Sequence, residues 1–164
     1  YFATDAAERF LPAQEQRGDA VLMVANHDVP PLRAWWSGLD IEQRLQYGLI
    51  DENSAESQRF HRAAQIEALT ELLCQHDLWP VFDAPQFCDE ALCLAIYRFC
   101  AQGNSPWVIL QLDDLVEADT SVNIPGTFLE YDNWSRKLPE LDLAGVQPSW
   151  SNLFEQLVAD RTLA

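Results

Sequence analysis

Basic residues are scarce in this chain of 164 residues, which has 10 Lys and Arg against 26 Asp and Glu and therefore a formal net charge of −16. A field of that sign repels the phosphates of nucleic acids and of anionic membranes, so neither is an expected partner. No apolar run approaches the roughly 18 residues of a membrane-spanning helix. The sequence shows no internal repeat and no low-complexity segment.

Cysteine is also scarce, and its spacing is not that of a metal or redox motif. The four cysteines are Cys74, Cys88, Cys93 and Cys100. None of them forms a C-x-x-C pair, so we expect free, buried thiols. His61 and His76 have no acidic partners at metal-binding spacing. The sequence therefore predicts no metal site.

The chain nevertheless has the composition of a folded protein, because 48% of its residues are hydrophobic and these include six Trp and eight Phe. Such a content is too rich for disorder and predicts a soluble protein with a substantial core.

Two short apolar runs predict β-strands, and each ends in polar residues. Val21–Val24 is followed by Asn26, His27 and Asp28 before a Pro-Pro helix start, and 107–112 is followed by Asp113 and Asp114. In a parallel α/β sheet or barrel, the carboxyl ends of the strands face the ligand crevice. Asn26, His27 and Asp28 are thus candidate site residues. The alternative is that Asp28 caps the following helix and His27 is an ordinary polar residue.

Helical periodicity predicts the remaining elements. Trp35 and Trp36 fall on a core-facing stripe that Gly38 ends. The other predicted helices are Ile41–Tyr47, an amphipathic helix capped by Ser54 that runs to Asp77, an all-round apolar helix at Ala91–Cys100 capped by Asp89, and a last helix at Ser149–Thr162 capped by Ser149. Val122–Thr127 contains a Pro-Gly turn, and Asn123 before it has an amide that suits a sugar hydroxyl.

Two stretches carry a resemblance to a known family. The first is NHDVPPLRAWW at 26–36, and the second is LQLDDLVEADTSVNIPGTFLEYDNWSRKL at 110–138. Both resemble segments of the 4-α-glucanotransferases, the amylomaltase or disproportionating-enzyme family, which is glycoside hydrolase family seventy-seven of the α-amylase clan. The resemblance runs from Tyr1 to about Leu157 and weakens between Asp40 and Pro85.

The resemblance implies an α/β fold, namely the C-terminal part of a (β/α)8 TIM barrel, with the last two or so βα units plus inserted helices. A complete barrel needs about 250 residues, and the chain begins at Tyr1 without Met. We therefore expect residues 1–164 to be the C-terminal portion of a catalytic barrel, without a separate second domain. The remainder of the barrel is then its partner.

The resemblance also implies a cytoplasmic enzyme that transfers α-1,4-glucan segments to glucose or malto-oligosaccharides by a retaining mechanism, without a cofactor. The family's nucleophile and acid/base lie on the fourth and fifth strands, which this chain lacks, so the chain alone should be inactive. Its third carboxylate corresponds to Asp28, and His27 and Asn123 would bind substrate hydroxyls. Asn133, Trp134 and the basic pair 136–137 correspond to positions interpreted as packing and loop-fixing residues.

Two other functions stay open. One is a carbohydrate-binding or interaction module derived from the barrel, in which Asp28 only caps a helix. The other is an α-glucan hydrolase of the same clan, because Asn26 stands where the family's transferases usually carry Thr, while the wider clan often has Asn there.

Overall fold

The computed structural model describes residues 3–7, 9–137 and 148–163. Its elements in chain order are β1 (Val21–Met23), α1 (Leu32–Ser37), α2 (Leu39–Gln46), α3 (Glu52–Gln75), α4 (Glu90–Ala101), β2 (Trp107–Ile109), α5 (Leu112–Leu115) and α6 (Pro148–Leu163). A turn of 3-10 helix at Ala13–Glu15 precedes β1. No helix in these ranges is long and apolar enough to cross a membrane.

The two strands pair in parallel, with Val21 opposite Trp107 and Met23 opposite Ile109. Four helices, α1 to α4, lie between them in the chain, as in a βαβ crossover. Both strands are shorter than predicted. The prediction that β2 extends to Leu112 was wrong, because Leu112 opens the short helix α5.

The sheet has one covered face and one exposed face. Leu22 and Val108 are neighbours in the register and pack against the hydrophobic core. Their flanking residues point the other way, since side chains alternate along a strand. Val21, Met23, Trp107 and Ile109 are all exposed. We call these four residues the bare sheet face.

The core lies on the helical side of the sheet and is built mainly from α1, α3 and α4. Trp35 and Trp36 are each only 4% exposed, which confirms that they are core residues. Gly38 ends α1 in the left-handed conformation, with φ of 74°, as the sequence predicts. In α4 seven of the twelve residues are buried, which confirms the prediction of an interior helix.

The long helix α3 differs from its prediction in its N-cap and in how much of its apolar stripe is buried. Ser54 is not its N-cap, because the helix begins at Glu52 and the carboxylate of Asp51 accepts the N–H of Ser54 at 2.8 Å. The stripe is buried near the C-terminus, at Leu69 for example, whereas Phe60 is exposed. Over its first half the helix is mostly exposed and is attached to α2 by ion pairs.

The last helix, α6, packs against α4. The guanidinium of Arg98 donates to both carboxylate oxygens of the buried Asp160, at 2.7 and 3.1 Å. The helix starts at Pro148, so Ser149 lies inside its first turn and the prediction of Ser149 as a cap was wrong. All four cysteines are free thiols, as expected, but only Cys88 and Cys100 are buried, so the prediction of burial was wrong for the other two.

The N-cap of α4 provides a test of the fold. The Asp89 carboxylate accepts the N–H of Leu92 at 2.9 Å. We expect Asp89→Ala to lower the free energy of unfolding by about 1 kcal/mol, because that amide loses its acceptor. Urea denaturation of the purified protein measures the change. Asp119→Ala, at an exposed loop position, is the control and should change the free energy by less than about 0.5 kcal/mol. Equal effects of the two substitutions would contradict the assigned cap.

Candidate active site

The loop after β1 is fixed by the side chain and the carbonyl of Asn26. Asn26 accepts the backbone N–H of Asp28 through its side-chain Oδ1 at 2.8 Å, and its carbonyl oxygen accepts the N–H of Val29 at 3.2 Å. This is an Asx-turn, in which a short polar side chain bonds to the backbone two residues on. Asn26 therefore fixes the backbone of Asp28.

The three residues to which the resemblance assigns a role at the site, Asp28, His27 and Asn123, lie together. Asn123 donates from Nδ2 to Asp28 Oδ1 at 2.8 Å, and Nε2 of His27 lies 3.2 Å from Asp28 Oδ2. We call Asp28, His27 and Asn123 the Asp28 cluster. The loops that follow the two strands supply its members, as expected for the carboxyl edge of a parallel sheet.

The Asp28 cluster is open to solvent. The side chains of His27 and Asp28 are 55% and 51% exposed. A carboxylate has about four acceptor positions, and the contacts to Asn123 and His27 leave some of them unoccupied. Asp28 can therefore accept further hydrogen bonds from a hydroxyl-bearing ligand.

Asp28 does not cap α1, so that part of the alternative interpretation was wrong. The N-cap position is Pro31, which offers no side-chain acceptor, and the first N–H of the helix is satisfied by a residue of α5. The N–H of Leu32 donates to Oδ1 of Asp114 at 2.7 Å. Asp114 lies in α5, the short helix that follows β2, so this contact holds the start of α1 against α5.

Asp114 is itself buried and held by a second donor. The hydroxyl of Tyr97 in α4 donates to Oδ2 of Asp114 at 2.7 Å, and the N–H of Gln111 donates to the same tyrosine oxygen at 2.9 Å. Burial raises the pKa of Asp114 to about 6, although the bonds from Tyr97 and Leu32 act in the opposite direction. Burial also raises the pKa of Tyr97. Elements α1, α4 and α5 are thus joined beneath the Asp28 cluster.

The loop that carries Asn123 is closed by the predicted Pro-Gly turn. The N–H of Thr127 donates to the carbonyl of Ile124 at 3.1 Å, and Gly126 takes a φ of 94°. Asn133 closes the loop further, since its Oδ1 accepts the N–H of Ile124 and its Nδ2 donates to Thr127 Oγ1, both at 2.9 Å. The interpretation of Asn133 as a loop-fixing residue is confirmed.

Arg136, the first residue of the basic pair, also contributes to loop structure. Arg136 donates to the buried Asp113, which also accepts a bond from Gln111 at 3.1 Å. The segment after Asn133 is therefore attached to α5 by an ion pair. This confirms the loop-fixing interpretation for Arg136.

Trp134 differs from its prediction. A packing residue would be buried, but Trp134 is 62% exposed. The centroid of its ring lies 5.1 Å from that of the His27 ring, with 47° between the planes. Sequence reasoning missed this residue as a member of the site, because a tryptophan is far more often buried than presented to solvent.

Two other kinds of candidate site were sought among the described residues, a groove and a metal site, and neither involves the Asp28 cluster. A groove of about 710 Å³ runs along α3 and is lined by Glu67, Glu71 and Asp83 among others, but by none of the predicted site residues. In residues 3–7, 9–137 and 148–163 no group of three or more His, Cys, Asp or Glu side chains could hold a metal ion.

Comparison with known proteins identifies one family. The sequence model of the 4-alpha-glucanotransferases, glycoside hydrolase family 77, matches residues 1–143. A 4-alpha-glucanotransferase of Haemophilus influenzae is 28% identical over 148 residues, or 85% of this chain and 20% of that protein. One of Mycobacterium bovis is 32% identical over 157 residues, or 94% of this chain and 20% of that protein. The chain thus spans about a fifth of the length of these relatives.

A solved structure shows the fold. The crystal structure of amylomaltase from Corynebacterium glutamicum superimposes with a TM-score of 0.73 at 18% identity, covering 98% of this chain and 24% of that one. The predicted fold class, part of a (β/α)8 barrel, is confirmed.

The buried Asp114 predicts a pH dependence of stability. Its pKa is about 6 in the folded chain and about 3.9 in an unfolded one, so the native state holds a proton that the unfolded state has released between these values. The stability that this group contributes is therefore fully present below about pH 4 and is lost as the pH rises to about 6. Relative to Asp114→Asn, the native protein should lose up to about 3 kcal/mol over this range.

Denaturant unfolding of both proteins from pH 4 to pH 7 measures this difference. Asp119→Asn, an exposed position with the same change of charge, serves as the control and should track the unsubstituted protein at every pH. A constant difference between the unsubstituted protein and Asp114→Asn would contradict the assigned protonation of Asp114.

Proposed function

This chain belongs to the 4-alpha-glucanotransferase family, glycoside hydrolase family 77, and we propose that it forms the transition-state-binding side of such an enzyme's active site. The complete enzyme transfers α-1,4-glucan segments to glucose or malto-oligosaccharide acceptors by a retaining mechanism in the cytoplasm. Residues 1–164 are the C-terminal portion of its catalytic barrel. The observation that carries the proposal is the half-exposed carboxylate of Asp28, held between Asn123 and His27.

A retaining transfer needs two carboxyl groups about 5–5.5 Å apart, one as the nucleophile and one as the general acid/base. In our proposal both lie on barrel strands outside this chain. Asp28 has a different task, which is to accept hydrogen bonds from hydroxyls of the sugar at the cleavage position. As positive charge develops on the ring, bonds from its hydroxyls to a carboxylate become stronger, and only such a differential gain accelerates the reaction.

The neighbours of Asp28 prepare it for that task. The bond from Asn123 and the contact with His27 fix the carboxylate before substrate arrives, so little reorganisation is required at the moment of reaction. The Asn123 carbonyl and the imidazole of His27 supply further polar groups for neighbouring hydroxyls. Their positions on two loops let them contact one sugar from two directions.

The bare sheet face supports the assignment of this chain to a larger barrel. Val21, Met23, Trp107 and Ile109 form an apolar surface on the side opposite the helices. In a closed (β/α)8 barrel, the strand side chains that point away from the helices fill the interior in layers. The partner that fits this surface is therefore the remainder of the barrel.

Substitution of Asp28 in the complete enzyme, which includes the rest of the barrel, tests the proposal. We expect Asp28→Asn to lower kcat for the disproportionation of maltotriose by about 10²- to 10³-fold with a small change in KM, because the charge is lost at the transition state. Release of glucose and formation of longer oligosaccharides are measured together.

Asp19→Asn is the matched control, since Asp19 precedes the same strand and pairs with Arg17 on the surface. It should leave kcat unchanged. Full activity of Asp28→Asn would contradict the proposed role. Glucose without longer products would identify a hydrolase instead, and maltotriose binding without any turnover would identify a binding module. The chain 1–164 alone should release no glucose.

A further inference from the structure

Trp134 presents a large apolar surface to solvent at the edge of the Asp28 cluster. It is 62% exposed, and its ring lies 5.1 Å from the ring of His27. Because Nε2 of His27 lies 3.2 Å from Asp28, the indole is one side chain away from the carboxylate. A ligand held by Asp28 would therefore lie within reach of the indole.

Folding stability does not account for this arrangement. Trp134 has a φ of 63°, in the left-handed region that a bulky residue rarely adopts. Its exposed ring gains little from burial in return. Unfavourable backbone conformations that persist in a native structure are concentrated at functional sites.

The backbone around Trp134 is firmly held. Its N–H donates to the carbonyl of Val122 at 2.9 Å, and the preceding Asn133 is bonded to Ile124 and Thr127. These contacts attach Trp134 to the loop that carries Asn123. The indole and the amide of Asn123 are thus parts of one braced segment.

We propose that the indole of Trp134 is a substrate-binding surface, which packs against the apolar face of a glucosyl unit adjacent to the one that Asp28 holds. This inference rests on the proposed function and extends it by one residue. A glucosyl ring has an apolar C–H face and a rim of hydroxyls. The indole takes the face of one glucosyl unit, while Asp28, His27 and Asn123 bond to the rim of the unit next to it, which is the usual division between apolar and polar groups in a ligand site.

Steady-state kinetics of the complete enzyme, with maltotriose as the substrate, test the proposal. Trp134→Gly removes the ring and suits the left-handed backbone, so it should fold. We expect KM to rise roughly tenfold, equivalent to about 1.4 kcal/mol, with kcat changed less than about twofold. Trp134→Phe keeps an aromatic face and should recover most of the affinity. Calorimetric titration with maltotriose should show the same loss and recovery.

Phe60→Ala is the matched control, because Phe60 is 74% exposed and also lies beside a histidine, with ring centroids 6.0 Å apart on α3. It should leave KM and kcat unchanged. Unchanged KM in Trp134→Gly, with kcat still dependent on Asp28, would overturn the role of Trp134 alone. A fall in kcat without a change in KM would also overturn it, since the ring would then act only by positioning His27. Absence of any glucan binding by the unsubstituted protein would overturn both proposals.

Discussion

The carboxylate of Asp114 joins the elements that carry the site. Its two oxygens accept the backbone N–H of Leu32 and the hydroxyl of Tyr97, so the start of α1, the middle of α4 and the short helix α5 converge on one buried group. An unpaired carboxylate in this position would be strongly unfavourable. If α1 shifted so that Leu32 separated from Asp114, the carboxylate would lose one of its two hydrogen-bond donors. The position of the loop at 26–28, immediately before α1, follows from this constraint.

Features that depend on neighbouring residues could be predicted from the sequence. The Pro-Gly turn, the left-handed Gly38 and the Asp89 cap each follow from the conformational preferences of one or two residues. The burial of Trp35 and of α4 follows from apolar spacing alone. Fold class required more, since two strand signals do not by themselves specify a barrel, and the resemblance supplied the rest.

Features that depend on distant parts of the chain could not be predicted. Pro31 has no polar side chain, and nothing near it in sequence indicates that the N–H of Leu32 is satisfied by Asp114, 82 residues away. The cap at Ser54 was assigned wrongly because Ser and Asp are both good caps and Asp51 lies only three residues earlier. For the Asp28 cluster, the strand ends predicted the general place. The meeting of Asp28 with Asn123 followed from the resemblance, and the exposure of Trp134 depends on a backbone conformation that sequence periodicity does not encode.

The separation of these contacts along the chain also has a consequence for the order of folding. The bonds from Leu32 to Asp114 and from Asn123 to Asp28 close loops of 82 and 95 residues, whereas α3 and α4 form from contacts within a few residues. Entropy of loop closure must be overcome before such distant pairs gain anything, so topologies rich in them fold slowly. We therefore expect the helices to appear early and the residues of the Asp28 cluster to reach their final places in the slowest step. During translation, the Asp28 cluster stays incomplete until Asn123 has emerged from the ribosome.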